Sequence, residues 1–383
     1  MQTELSNFWK TIERSKNPLI CFREDLESSS SPLGGDAIAS ALALKMVLEK
    51  VGKSVEILST GFRAMPHFEF LGANTYIKNG VEALRKFVIS IDISKNKVND
   101  FSYNINGEKL DIYLTPKQGT FDDKTLETRH ENFKYDAIIT LDTPSLGRLG
   151  KLYSTSPELF YNIPIINIDH DPSNEFYGQI NIVNLSAGST AEMVSEIIKH
   201  NNIQVDGDLA TKLLAGLIAK TKSFRNPNLS PKTLQLASRL VELGARRDEI
   251  INNFYRTRSV ETLKLWGRAL AKLKSSPEHK LVWALLSRED FINSGASTDA
   301  ELSDVINELI VYSPQADVIT LLYEQSPLNI FVVIACMHGR DTRELGKIFA
   351  GEGTREMVKF SLTSLNLVEA EKEVITKLKQ AIH

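Results

Sequence analysis

Residues 163–174, IPIINIDHDPSN, join an isoleucine-rich run to a cluster of charged and turn-forming side chains. The run favours a buried β-strand, and Asp169 ends it. His170 and Asp171 follow, and Pro172-Ser173-Asn174 is typical of a turn. Strands that are apolar throughout occur mainly in parallel sheets, where ligands bind beyond the carboxyl ends of the strands. The stretch therefore predicts a parallel α/β sheet with a polar site at one edge.

Similar runs on the N-terminal side extend this pattern. They lie at residues 19–22, 54–59 and 137–142, with a fifth run at 87–92. Between the first two, residues 36–51 carry apolar side chains at helical spacing, and Gly52 is a natural terminator. This order is a βαβ unit. The sequence thus predicts an α/β fold whose N-terminal domain is built on a Rossmann-like parallel sheet.

One segment interrupts the alternation of strands and helices. Around Asn106-Gly107, apolar residues recur at every second position on both sides. This pattern predicts a β-hairpin with a two-residue turn. We expect it to be an insertion of about residues 98–120 into the N-terminal domain.

The C-terminal part of the chain has a different pattern. Residues 230–273 are helical in character, and the polar stretch 274–280 predicts a linker. Strand-like runs follow at 281–286, 318–323 and 330–337, with helices predicted at 299–311 and 368–382. We therefore expect a domain of residues 1–273, a linker at 274–280, and a smaller α+β domain at 281–383.

Composition excludes several classes of protein. The 383 residues include 45 Lys and Arg against 48 Asp and Glu, a net charge of −3 that argues against electrostatic binding of duplex DNA. The two cysteines are too few for a disulfide framework. No apolar run reaches the roughly 18 residues of a membrane helix, and residues 1–14 lack the basic-then-apolar pattern of a signal peptide. We expect a cytoplasmic protein that binds neither duplex DNA nor a membrane.

Aspartates end three of the predicted strands. They are Asp92, Asp142 and Asp169, with Asp36 and His170 close by in the predicted topology. Each aspartate alone is explained by a capped turn, but their convergence favours a site for a cation or a phosphate. Carboxylates with a neutral imidazole suit Mn²⁺ or Mg²⁺.

Several stretches together resemble the motifs of the DHH phosphoesterases. They are residues 32–40 (PLGGDAIAS), 141–143 (LDT), 169–174 (DHDPSN), 187–192 (AGSTAE) and 215–225 (AGLIAKTKSFR). The C-terminal domain resembles the associated DHHA1 substrate domain, with Arg340 after a strand and Gly351-Glu352-Gly353 in place of its glycine-rich loop. The resemblance is closest to the nano-RNase and pAp-phosphatase branch.

The resemblance implies a hydrolytic centre with two divalent metals. Its surviving metal ligands are Asp36, Asp142 and His170, and the implied catalytic carboxylates are Asp142, Asp169 and Asp171. The implied substrate-binding residues are Asp171, Arg340, Gly351, Gly353, Thr354 and Arg355.

Five positions depart from the family pattern. Ser30 stands for the first-motif histidine, Gly34 for an aspartate ligand, Lys220 for the fourth-motif aspartate, Asp171 for the second histidine of the triplet, and Thr354 for a loop histidine. Neither serine nor glycine replaces a charged ligand. We therefore expect a degenerate site in which hydrolysis is impaired.

Two sets of residues could compensate for the missing metal ligands, and each has an alternative explanation. The ammonium of Lys220 is expected to replace a metal electrostatically, with a surface lysine as the alternative. Glu24, Asp25 and Glu27 either supply substitute oxygens or form a solvated charge run.

The leading functional hypothesis is a catalytically impaired protein that binds a nucleotide or a short single-stranded oligonucleotide. The alternative is an active phosphoric ester hydrolase that acts on short oligonucleotides or pAp through one Mn or Mg ion. A partner protein without a ligand is a third interpretation. The cofactor is accordingly none or one ion, and the sequence leaves the oligomeric state open.

Overall fold

A computed structural model of the chain describes residues 2–25, 34–80, 84–121, 126–225, 229–255, 259–296, 302, 306, 316–337, 340–355 and 357–382. These residues form two compact units, which divide in the sequence after Asn253. Within the described ranges, no helix combines the length and the apolar character that crossing a bilayer requires.

The described elements alternate between helices and short strands. The helices are α1 (Gln2–Arg14), α2 (Gly35–Lys50), α3 (Ala73–Tyr76), α4 (Lys151–Thr155), α5 (Pro157–Asn162), α6 (Thr190–His200), α7 (Gly207–Lys220), α8 (Pro231–Glu242), α9 (Arg247–Tyr255), α10 (Val260–Ala271), α11 (Arg288–Ser294), α12 (Thr342–Lys347) and α13 (Leu367–Ala381). The strands are β1 (Pro18–Phe22), β2 (Glu56–Leu58), β3 (Ile77–Lys78), β4 (Arg85–Ile91), β5 (Val98–Asn106), β6 (Lys109–Pro116), β7 (Leu126–Phe133), β8 (Ala137–Leu141), β9 (Ile165–Asp169), β10 (Ile180–Val183), β11 (Lys274–Ser276), β12 (Leu281–Leu286), β13 (Val318–Ser326), β14 (Asn329–Cys336), β15 (Glu352–Gly353) and β16 (Met357–Thr363).

The first unit contains the predicted parallel sheet. Its six strands lie in the order β10-β9-β8-β1-β2-β3, and every neighbouring pair is parallel. Strands β1, β8 and β9 are buried along their whole length, which explains why their sequences are mostly apolar and do not alternate. Their carboxyl ends place the residues after Phe22, Leu141 and Ile168 at one edge of the sheet.

Helix α2 is the central helix of this unit. It is buried around most of its circumference, and it packs against both α6 and α7. Only small and apolar residues suit such a position, and α2 supplies alanine, leucine and isoleucine on all sides. Its first turn carries Asp36, which this packing keeps out of solvent.

The segment between β3 and β8 forms an antiparallel ribbon. Strands β5 and β6 form the predicted hairpin, with Asn106 opposite Lys109 and a turn at Gly107 and Glu108. Strand β4 pairs with β7 in a second two-stranded ladder. The prediction that residues 87–92 belong to the parallel sheet was therefore wrong. Asp92 does not lie at the edge of that sheet, and its carboxylate instead accepts the backbone N–H of Ser94 (2.8 Å).

The second unit is a mixed α+β structure. Its sheet has the order β11-β12-β13-β14-β16-β15, in which β12 and β13 are parallel and the other neighbours antiparallel. One side of the sheet packs against α10 and α11, and the other against α12 and α13. The predicted α/β class with a smaller α+β domain is confirmed.

The border between the units differs from the predicted one. Helix α10 packs its Leu265 and Trp266 into the core of the second unit, although the prediction assigned it to the first domain. Residues 274–280, predicted as a linker, contain β11, which pairs with β12. The polar composition of β11 reflects its position at the edge of the sheet. The helix predicted at 299–311 lies largely outside the described residues.

Candidate functional site

Asp36 is held in place by the first turn of a neighbouring helix. Its Oδ2 accepts the backbone N–H of Thr190 (2.6 Å), and its Oδ1 accepts the N–H of Ala191 (3.0 Å). Ser40, one turn further along α2, donates its hydroxyl to Oδ1 (3.2 Å). Asp36 thus satisfies N–H groups at the start of α6 that the helix itself leaves unpaired.

Asp142 follows β8 and lies in the same cluster. Its φ of +48° is left-handed, a conformation that costs a non-glycine residue energy and that is concentrated at functional sites. Burial raises the pKa of Asp142 despite the opposing charge of Lys220, and the negative charge of Asp36 acts in the same direction as burial. The charge of Lys220 is the strongest influence that favours the ionised form of Asp142.

Lys220, the last residue of α7, carries that charge. Its Nζ lies 3.6 Å from Asp142 Oδ1. Burial would lower the pKa of Lys220, but the carboxylates of Asp142 and Asp36 outweigh it and raise the pKa above its ordinary value. The ammonium is therefore charged at neutral pH. The structure thus places Lys220 beside the carboxylate of Asp142.

His170 lies between the two carboxylates. Its Nε2 is 3.7 Å from both Asp36 Oδ2 and Asp142 Oδ1, and it is buried without a hydrogen-bond partner among the described residues. Burial would lower the pKa of His170, but the carboxylates of Asp36 and Asp142 together outweigh burial and raise the pKa. For Asp36, burial is likewise outweighed, and the imidazole and Lys220 lower its pKa.

The other two acids of the DHH-like stretch hold their own loop. Asp169 is fully buried: its Oδ1 accepts the N–H groups of His170 (2.7 Å) and Asp171 (3.1 Å), and its Oδ2 accepts the Asn174 amide (2.7 Å). Asp171 accepts the N–H and the hydroxyl of Ser173. Burial would raise the pKa of Asp171, but these hydrogen bonds lower it. Both carboxylates therefore stabilise the turn after β9.

Close helix packing brings the cluster together. A methyl group at Gly216 of α7 would lie 2.7 Å from the Ala191 Cβ and 3.1 Å from Asp36 Oδ1. A methyl group at Gly35 would lie 3.0 Å from the Ala219 Cβ. Glycine at these positions allows α2, α6 and α7 to meet at Asp36.

A left-handed turn follows Lys220. Lys222, Ser223 and Phe224 all have positive φ values, between +50° and +63°. Three such residues in succession are costly for side chains other than glycine. The buried Thr221 supports the turn, because its hydroxyl accepts the N–H of Phe224 (3.0 Å).

The acidic residues before α2 form their contacts outside the cluster of Asp36, Asp142 and Lys220. Glu24 Oε2 accepts the backbone N–H of Lys151 (2.9 Å), and Asp25 forms ion pairs with Arg23 (2.9 Å) and Arg148 (2.7 Å). These two carboxylates are thus directed to the neighbouring loop. Ser30 and Glu27 lie outside the described residues.

Gly34, where the resemblance implies an aspartate ligand, precedes α2 with a φ of +83°. Glycine adopts this left-handed conformation without strain, whereas an aspartate there would be strained.

The second unit brings its predicted binding residues near one another. The N–H of Thr342 donates to the carbonyl of Arg355 (2.9 Å), which places the chain after Arg340 beside the glycine-containing segment. Arg340 donates to the carbonyl of Ala381 (3.0 Å). Thr354 pairs with Met357 through both backbone and side chain.

The glycine-containing segment does not form the open anion-binding nest that its sequence suggests. The N–H of Gly351 donates to Gly346 (2.9 Å) and that of Thr354 to Met357 (2.8 Å), while Gly353 pairs with Val358 in the sheet. Two of the backbone donors are therefore already used. The arginine side chains are the groups that remain suited to an anion.

The described residues do not fit the pair of divalent cations that the resemblance implies. Among them, no group of three or more His, Cys, Asp or Glu is placed to hold a metal ion. Asp36 and Asp169 accept backbone hydrogen bonds, and an ammonium lies beside Asp142. A positive charge at that distance repels a divalent cation.

Sequence reasoning missed two supporting residues. Thr190 and Asn174 hold Asp36 and Asp169 in place, and the hydroxyl of Thr190 is buried without a partner in the described part of the chain. The sequence could have indicated the role of Thr190, because the stretch AGSTAE is typical of the start of a helix. Asn174 has the signal of a turn residue, which does not reveal its contact with Asp169.

Comparisons with known proteins identify the fold. Residues 34–219 match the DHH family, N-terminal domain. A bifunctional oligoribonuclease and PAP phosphatase of Thermus thermophilus is 25% identical over 243 residues, which are 62% of this chain and 72% of that protein. Its namesake from Bacillus subtilis is 25% identical over 48% of this chain and 57% of its own length.

A solved structure supports the same fold over the whole chain. It is an exopolyphosphatase-related protein from Bacteroides fragilis, with a TM-score of 0.69, 18% identity, and coverage of 100% of this chain and 98% of that one. Residues 34–219 therefore belong to the DHH family, and the chain lies near the branch of bifunctional oligoribonucleases and PAP phosphatases.

Proposed function

We propose that this chain binds a nucleotide or a short single-stranded oligonucleotide in its DHH domain but is impaired in hydrolysing it. The observation that carries the proposal is the ammonium of Lys220, 3.6 Å from Asp142 Oδ1 in the cluster where the family resemblance implies a metal. In this proposal, Lys220 replaces the electrostatic role of a metal without its Lewis-acid chemistry.

The charges of the cluster support this assignment. A metal-bound water ionises near neutral pH and attacks phosphorus, whereas an ammonium beside a carboxylate supplies no such nucleophile. Lys220 nevertheless offsets the negative charge of Asp36 and Asp142, which otherwise opposes an incoming phosphate. Binding with weak or absent turnover is the expected combination.

The ligand class rests on the relatives. The Thermus thermophilus and Bacillus subtilis proteins are named for an oligoribonuclease and a PAP phosphatase activity. We extend the ligand, but not the activity, to this chain. Within the second unit taken by itself, Arg340 and Arg355 are the proposed anion-binding side chains, whereas two backbone donors of the segment Gly351, Gly353 and Thr354 are already paired. Asp171 belongs to the proposed ligand-binding residues of the first unit.

Metal analysis tests the replacement of the metal by lysine. The full-length protein is incubated with excess Mn²⁺, desalted and analysed by inductively coupled plasma mass spectrometry. We expect less than stoichiometric manganese, and no difference in the His170→Ala variant. Stoichiometric manganese that disappears in His170→Ala would show that the cluster holds a metal and would overturn the proposal.

Binding and turnover are measured on the same preparations. Isothermal titration calorimetry with pAp and with a short RNA should detect binding, and Lys220→Met should weaken it at least tenfold. Lys199→Met, which alters an exposed lysine on α6, is the matched control and should bind as the wild type does. Turnover of either ligand that Asp142→Ala abolishes would refute impaired hydrolysis.

A second candidate function is hydrolysis at a single remaining Mn or Mg site formed by Asp36, Asp142 and His170. The observation that favours it is His170 Nε2, which is buried without a hydrogen-bond partner among the described groups and lies equally far from both carboxylates. The metal analysis separates the two candidates, because only this one requires bound metal.

A further inference from the structure

We propose that the β5–β6 hairpin is a self-association surface, through which the chain forms a symmetric dimer with a second copy of itself. The surface is the hairpin face, which we define as Phe101, Tyr103, Ile105, Leu110, Ile112 and Leu114. This inference is independent of the ligand of the DHH domain.

The register of the hairpin gathers these side chains on one side. Phe101 lies opposite Leu114, Tyr103 opposite Ile112, and Ile105 opposite Leu110. Because side chains alternate along a strand, all six point to the same face of the ribbon. The reverse face carries mainly polar residues such as Ser102, Asn104 and Asp111.

The hairpin face is apolar and exposed. Five of its side chains, all except Leu114, are between 39% and 66% exposed. Side chains of these sizes at these exposures present on the order of 600 Å² of apolar surface, the upper end for the largest patch on a typical monomer. The two strands pair with each other and with no other strand among the described residues. A two-stranded hairpin with an uncovered apolar face is marginally stable, so a partner would stabilise it.

The chemistry of the face selects an apolar partner. It contains no charged residue, so it offers no cation to the phosphates of a nucleic acid and no counter-charge to a charged peptide. Two such faces, by contrast, approach each other without electrostatic repulsion. In a twofold dimer the same surface of both subunits forms the interface, so the hairpin face would pack against its own copy.

The area agrees with a dimer. Two copies packed face to face, at the roughly 10 Å spacing of stacked sheets, would bury on the order of 1,200 Å² in total, which reaches the lower bound for a stable interface. Tyr103 and Ile112 form the middle pair of the face. An axis through its centre therefore brings Tyr103 of each copy close to the other copy.

Sedimentation equilibrium of the full-length protein at micromolar concentrations tests the proposal. The wild type should be a dimer. Tyr103→Glu should raise the dissociation constant roughly a hundredfold, because symmetry introduces the change twice and each copy costs about tenfold. The control Ser102→Glu alters the adjacent residue on the reverse face and should leave the dimer intact.

Cross-linking provides a second measurement that does not depend on destabilisation. The two native cysteines, Cys21 and Cys336, are buried, so a thiol placed on the hairpin is the accessible one. A short bismaleimide should link the Tyr103→Cys protein into a covalent dimer and should link the Ser102→Cys protein much less.

Three outcomes would overturn the proposal. A monomeric wild type excludes self-association at these concentrations. A dimer that resists Tyr103→Glu, with equal cross-linking of both cysteine variants, would use another surface. A monomer that sediments with phosphatidylcholine vesicles, and loses this in Tyr103→Glu, would make the hairpin face a lipid contact instead.

Discussion

Replacing Lys220 by methionine should destabilise the first unit by leaving Asp142 buried without its cation. The two charges are 3.6 Å apart, and Coulomb's law at an effective dielectric constant of 20 gives about 4–5 kcal/mol for their attraction. The lysine side chain is 38% exposed, so solvent screening reduces the expected loss to about 1–3 kcal/mol. Methionine keeps the length and the apolar stem of the side chain.

A double-mutant cycle isolates the interaction from other effects of the substitution. Asp142→Asn removes the buried negative charge, and it also relieves repulsion from Asp36 and Asp169. In that background Lys220→Met should cost less, because the carboxylate closest to the ammonium is neutralised and only the weaker attraction of Asp36 and Asp169 remains. The coupling energy between the two changes should therefore be about 1–3 kcal/mol.

Urea unfolding followed by circular dichroism measures all four proteins at neutral pH and one salt concentration. Lys199→Met is the control for loss of a lysine on an exposed helix face and should change the unfolding free energy by less than about 0.5 kcal/mol. A coupling energy below about 0.5 kcal/mol would show that Lys220 and Asp142 do not stabilise each other, and our interpretation of the cluster would be refuted.

Three further changes test the packing, the backbone and the second unit. Gly216→Ala should lower the unfolding free energy by about 1–3 kcal/mol, because the added methyl group contacts α6 and Asp36 too closely. Gly267→Ala in α10 should raise the unfolding free energy by about 0.5–1 kcal/mol, because the added methyl group has open space around it. Ser223→Gly should raise it by about 1 kcal/mol in the same urea assay, because it relieves a left-handed residue; a loss of stability would contradict this. The pKa of Asp290 is lowered, because its hydrogen bonds with Lys272 and Ser287 outweigh burial. The ionised Asp290 therefore stabilises the fold fully above the pKa of an unfolded aspartate. This stabilisation is lost as the pH falls through the pKa of Asp290 in the folded protein. Asp290→Asn should therefore flatten the acid side of the stability profile, and an unchanged profile would show that the pair contributes nothing.

Much of the sheet could be predicted because its strands are buried on both sides. The runs at β1, β8 and β9 are mostly apolar and do not alternate with polar residues, a pattern typical of central parallel strands. The run at 87–92 misled for the same reason, since its apolar residues resemble those of a parallel strand. Its real partner, β7, has the sequence LETRHENF, which gives no strand signal of its own. Pairing between distant segments with unequal signals is set by tertiary structure.

The sequence indicates which residues lie near one another in the site, but it does not indicate their hydrogen bonds. Motif order places Asp36, Asp142, His170 and Lys220 at one edge of the sheet, and the structure brings them together. The sequence does not reveal that Asp169 faces its own loop, or that Glu24 turns towards Lys151. A carboxylate accepts from whichever N–H the folded chain presents, and loops between elements decide this.

The balance of charge in the cluster depends mainly on Asp142 and Lys220. Backbone N–H groups offset the charges of Asp36 and Asp169, so Asp142 is the carboxylate that most needs a cation. A single ammonium beside it offsets this charge, whereas a divalent ion would also require further ligands, and Gly34 has no side chain that could supply one. Lys220→Asp alone would therefore add a further carboxylate to an uncompensated cluster. Under the proposed function, metal binding requires Lys220→Asp to be combined with Ser30→His and Gly34→Asp.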